Sequence, residues 1–179
     1  SLSFFLTWGV PYIIGRVYFR DALALRDLAI GIFVGGLVYI PLCLYEIRMS
    51  PQLHNMIYGY HQHIFAQSRR LGGWRPTVFM QHGIGVAMWM CAAALLGTWL
   101  WSSRSLVRLR GIPVSWLIAP LLATAVLCKT MNALLLLALG VSVLYAARIL
   151  RTRALLAGLL CIPLVYVAAR ASEAWSGAH

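Results

Sequence analysis

Residues 28–45, LAIGIFVGGLVYIPLCLY, run without a single charged side chain, and how they are read decides the reading of the whole chain. A stretch of this length and polarity approaches the ~20 apolar residues that carry an α-helix across about 30 Å of hydrocarbon. It lacks the alternation of apolar and polar residues by which a membrane β-strand divides lipid from lumen. Comparable segments lie on either side of it. The apolar pattern gives six: Leu2–Gly15, Leu28–Tyr45, Thr77–Trp101, Val114–Cys128, Asn132–Ile149 and Ala154–Ala169. Hydrophobic residues make up 61% of the 179 residues and the mean hydropathy is +0.80. Soluble domains stay nearer ~45–50%. The expected fold is all-α, a polytopic helical membrane bundle of about six transmembrane segments forming a single membrane domain over residues 1–179. Ser1 opens directly into an apolar run, and the chain closes on the polar RASEAWSGAH. Both ends read as cuts through a longer polytopic protein of which this is the central part.

The formal charge of +11 comes from short basic clusters at the ends of apolar segments, not from one polar face, so no nucleic-acid partner is expected. The clusters are topology markers. Arg16, Arg20, Arg26, Arg104, Arg108, Arg110, Arg148, Arg151 and Arg153 occupy alternate, compact connections, which the positive-inside rule assigns to the cytoplasm. Arg48, Arg69, Arg70, Arg75, Lys129 and Arg170 fall on the other side. The Glu46–Pro76 loop, between the second and third segments, is then exported to the periplasm of a bacterial inner membrane. Cys43, Cys91, Cys128 and Cys161 each sit inside an apolar segment without metal-ligand spacing, so neither zinc nor disulfides are expected.

Function is sought in the stretch Tyr45–Arg75, which holds three of the five histidines, four of the fifteen basic residues and one of the four acidic ones. Pro51–Ser68 is expected to be an amphipathic interfacial helix with Ser50 as its N-cap. Its spacing would set His54, Tyr58 and His61 on one stripe. Arg48, Arg69, Arg70 and Arg75 bring planar guanidinium forks to the side where positive charge is usually sparse, and a diphosphate is the ligand that such forks suit. Tyr60 adds an amphipathic contact. His61, His63 and His82 are the candidate catalytic imidazoles, able to act as general bases towards a sugar hydroxyl. His61 and His63 are two apart and point to different faces of a helix, and the one carboxylate nearby is Glu46, so no metal site and no cofactor are expected. Gln81 and His82 are expected just inside the third apolar segment, where polar groups face the bundle interior. Lys129, in the tight turn between two apolar helices on the loop's side, adds a cation to the same site.

The runs PYIIGRVYF and LYEIRMSPQLHNMIYGYHQHIFAQSRRLGGWRPTVFMQHG, with the later LCKTMNALLLLALG, resemble the O-antigen ligase / O-antigen polymerase superfamily of envelope membrane proteins, in its exopolysaccharide-polymerase-like branch. The family's small polar stretch reads here as Lys129-Thr130-Met131-Asn132. The resemblance implies a membrane glycosyltransferase that polymerises or ligates glycans. Its donor would be an undecaprenyl-diphosphate-linked glycan whose diphosphate is held by periplasmic arginines, a role that falls on Arg69, Arg70 and Arg75. The family's acceptor-activating histidine would lie in a later loop beyond this chain. The alternative is a transporter or flippase-like module that moves a lipid-linked glycan without bond cleavage, and beside it stands a non-catalytic membrane scaffold. Charged groups are nearly absent from the apolar cores, which weighs against transport.

Overall fold

The computed structural model describes residues 4–60, 68–70, 72–150 and 154–171. A π-helical turn, Phe5–Gly9, leads into α1 (Val10–Tyr18), and α2 (Ala22–Met49) follows. The short α3 (Leu53–Tyr58) precedes a two-stranded hairpin of β1 (Arg69–Arg70) and β2 (Gly73–Trp74). After α4 (Gly83–Ser102) comes a second hairpin, β3 (Arg108–Leu109) and β4 (Ile112–Pro113), then α5 (Val114–Leu127), α6 (Met131–Ile149) and α7 (Ala154–Ala171). The protein is all-α apart from these two small antiparallel ladders, in which Arg69 pairs with Trp74 and Arg108 with Pro113. The second ladder turns through Arg110 and Gly111, both at positive φ, the combination that closes a two-residue hairpin.

Among the described residues three helices, α2, α4 and α6, are long and apolar enough to cross a membrane, and α5 and the Cys161–Arg170 part of α7 are shorter apolar helices. Helices satisfy their own backbone groups, which is why apolar runs such as these take this form in a lipid solvent.

The chain divides into two compact units, Ser1–Leu137 and Ala138–His179. In the first, α2, α4 and α5 pack against one another. Glycines let them approach. A Cβ on Gly97 of α4 would fall 2.5 Å from the Phe33 ring of α2 and 3.3 Å from Ile118 of α5, and one on Gly36 would collide with Ala93 while meeting Leu121 at 3.1 Å. Phe33, Met90, Leu100, Leu121 and Val86 are fully buried around these contacts. Between membrane helices such packing is driven by close van der Waals fit, since lipid tails are as apolar as the side chains themselves. The second unit holds the rest of α6 and α7, whose last turn carries Arg170 donating to the Tyr166 hydroxyl at 3.0 Å.

Two sets of hydrogen bonds mark the opposite ends of the three-helix core. At the start of α2, Arg26 donates to the carbonyl of Ser105 at 3.2 Å, which joins that end to the second hairpin. At the end of α2, Glu46 is bonded to residues 53, 77 and 78, which joins that end to the loop.

Candidate functional site

The loop end is organised by Glu46, a carboxylate fully buried in the last turns of α2. Its Oε1 accepts the backbone N–H of Leu53 at 3.1 Å, and its Oε2 accepts those of Thr77 at 2.8 Å and Val78 at 2.7 Å. A buried charge persists only when its lone pairs are filled, and here three otherwise unpaired backbone donors fill them. The carboxylate therefore fixes both the entry and the exit of the loop. Val78 is β-branched, fully buried and held at φ +47, a conformation such a residue adopts only when its surroundings impose it.

This geometry corrects several sequence-based expectations. Ser50 is the C-cap of α2 at φ +87, not the N-cap of a following helix. The expected helix over Pro51–Ser68 is cut at Tyr58, because Gly59 takes the left-handed conformation that ends helices. His54 does not face an open cleft. It is buried, its Nδ1 pairs with the carbonyl of Tyr60 at 2.9 Å, and its ring lies tilted against Tyr58 and edge-on to Tyr60 at centroid distances of 4.6 and 4.7 Å. His61 and His63 lie outside the described residues. Gln81 and His82 were expected inside the third apolar segment, but that helix begins at Gly83, and both residues are exposed in the turn before it, with His82 as N-cap.

The arginines whose side chains are described differ in burial. Arg48 and Arg69 are exposed, the first in the last turn of α2 and the second on β1, while the backbone of Arg70 pairs with Gly73. Arg75 turns inward and is only 8% exposed. Its backbone N–H donates to the Ser68 carbonyl at 2.8 Å, and its Nη2 donates to the Thr130 hydroxyl at 2.9 Å. Thr130 in turn donates to the Cys128 carbonyl at 3.2 Å, so the hydroxyl holds the guanidinium against the turn between α5 and α6.

Lys129 occupies that turn at φ +52 and lays its ammonium group where a side chain on Gly73 would stand. Gly83 performs the same service for Arg75, since a Cβ there would lie 2.8 Å from the Arg75 Cγ and Cδ and from the Pro76 carbonyl. Two missing side chains, at Gly73 and Gly83, thus make room for the Lys129 ammonium and the Arg75 stem. Tyr60, Gln81 and His82 are exposed, and the chain segments that carry them flank this cluster in sequence. Glu46 and Thr130 are the residues that sequence reasoning missed. The available signal was that Glu46 ends an otherwise uncharged apolar run, and that a hydroxyl follows Lys129 in a turn too short for chance solvation.

Beneath this end, an apolar cavity of about 170 Å³ is lined by Met88, Cys91, Ala92 and Leu95 of α4 and by Ala133, Leu136 and Leu137 of α6. Cys43 of α2 and Cys128 at the end of α5 are both fully buried. Comparison with protein-family models, curated proteins and solved structures finds no match to this chain.

Proposed function

We propose that the protein is a multi-pass membrane glycosyltransferase that draws on a polyprenyl-diphosphate-linked glycan, with its chemistry at the loop end of the bundle. The observation that carries this reading is the convergence of the Arg75 guanidinium, the Lys129 ammonium and the Thr130 hydroxyl around the first hairpin. Two cations suit a diphosphate, whose lipid tail stays among the apolar helices, and the Thr130 hydroxyl holds one of them in place. In the reaction, an acceptor hydroxyl oxygen attacks the anomeric carbon as the bond from that carbon to the diphosphate oxygen breaks, inverting the centre. Negative charge grows on the departing diphosphate, and cations already in place stabilise it without reorganisation. The proton of the acceptor passes to a base, and exposed His82 at the N-cap of α4 is the described imidazole of this end suited to take it. Gln81 and Tyr60 are assigned to acceptor sugar contacts.

The finer topology belongs to the same proposal: the five expected spans from Leu28–Tyr45 onward cross a bacterial inner membrane, with residues 46–76 in the periplasm. The test is glycan transfer in membranes carrying the protein with Lys129→Gln or Arg75→Lys. Lys129→Gln removes a charge without touching the Glu46 clamp, and transfer is expected to fall at least tenfold while thermal unfolding in detergent is unchanged. Transfer at the parental rate in both variants would overturn the proposal. Movement of intact lipid-linked glycan across the bilayer without sugar release would replace it with transport.

A further inference from the structure

Helices α2, α4 and α5 show no division into an apolar and a polar face, but α1 does. In α1 the aliphatic residues Val10, Ile13, Ile14 and Val17 recur at the spacing of one helix face, with Tyr12, Gly15 and Arg16 on the other. Neither α1 nor the π-helical turn before it has a buried residue, so among the described residues nothing covers the aliphatic stripe. Its polar face is equally unsuited to hydrocarbon on all sides, because Gly15 bares backbone and Arg16 donates to the Tyr12 hydroxyl at 3.0 Å on the flank of the helix. Trp8, Tyr12 and Tyr18 are exposed along the same segment, the residue types that settle at headgroup level.

We infer that α1 is a lipid-surface helix, lying along the boundary between headgroups and acyl chains at the end of the bundle where α2 begins, and that its occupant is an anionic bilayer surface. The charge of that end selects the partner. Residues 19–21 separate α1 from α2, and the Arg26 bond to Ser105 brings the second hairpin to the same end. Arg16, Arg20, Arg26, Arg104, Arg108 and Arg110 face only Asp21 and Asp27 in these segments. A one-sided helix beside a strong excess of arginine is the pattern of an interfacial anchor on acidic lipid. The inference is independent of the sugar chemistry proposed above.

The test is a spin-label scan of single cysteines at positions 10 to 18, made in the whole protein with Cys161→Ser and reconstituted into vesicles of phosphatidylglycerol and phosphatidylcholine. Collision with oxygen against a water-soluble nickel complex gives the depth of each label. Depth is expected to oscillate with the helical period, deepest at 13, 14 and 17 and shallowest at 12, 15 and 16. A steady gradient from position 18 to position 10 that reaches the bilayer centre would mean that α1 crosses, and water exposure at every position would mean that it binds no lipid; either overturns the inference. Arg16→Gln with Arg20→Gln is expected to halve the enrichment of spin-labelled phosphatidylglycerol around the protein, and unchanged enrichment would refute the anionic partner.

Discussion

Replacing Glu46 by alanine is expected to release the loop from the helix that carries it, and the size of the effect follows from the three backbone donors the carboxylate serves. Leaving buried N–H groups without acceptors costs about 1–3 kcal/mol each. The two at Thr77 and Val78 are the shorter bonds, at 2.8 and 2.7 Å, and they also hold Val78 in its left-handed conformation. For these two donors the loss is about 2–6 kcal/mol, and water reaching this end of the bundle offsets part of it, so local opening around Thr77 and Val78 should become easier by about 3 kcal/mol. At ~1.4 kcal/mol per factor of ten, amide hydrogen exchange there should quicken roughly 100-fold. The assay is exchange followed by mass spectrometry on protein in lipid nanodiscs, with a peptide from residues 28–45 as an unaffected reference. Glu46→Gln keeps one carbonyl acceptor and should fall between, at about tenfold. A change of less than threefold at Thr77 and Val78 in Glu46→Ala would refute the view that this carboxylate organises the loop.

Three further substitutions test the packing and the cation cluster. Thr130→Val keeps the shape but removes the acceptor for the Arg75 Nη2, and should cost about 1–3 kcal/mol in unfolding experiments while lowering glycan transfer. Gly97→Ala should cost about 1–3 kcal/mol by overpacking Phe33 and Ile118, read as a lower midpoint of thermal unfolding in detergent. Gly83→Ala drives a methyl group against the Pro76 carbonyl and the Arg75 stem, so loop exchange should quicken and transfer should fall together. Transfer lost with the loop intact would instead assign Gly83 a direct role at the substrate.

The helices were legible in the sequence because their determinants are local. Expected segments over Val114–Cys128 and Asn132–Ile149 correspond to α5 and α6 within a residue or so of their ends, and Leu28–Tyr45 is the middle of a longer α2. An uncharged run must close its own hydrogen bonds in lipid, and only a helix does so within one segment. The loop end was harder to read because its determinants are distant in the chain. Glu46 reaches Val78 across 32 positions and Arg75 reaches Thr130 across 55, and no periodicity reports such pairings. Arg75 and Lys129 were legible as cations on one side of the bundle, but not the glycines at 73 and 83 that make room for them. Gln81 and His82 were placed within the helix by the apolar run around them, but α4 begins at Gly83.

The Glu46 clamp also sets an order of assembly. All three of its donors lie no further along the chain than Val78, ahead of α4, so a ribosome needs to release only that much polypeptide for the loop to fasten itself to α2. Thr130 and Lys129 emerge some fifty residues afterwards, and Arg75 must wait for them in a loop already secured. Synthesis from N- to C-terminus thus builds the scaffold first and completes the cation pair last, so truncation between α4 and α5 would leave a fastened loop with an unfinished anion site.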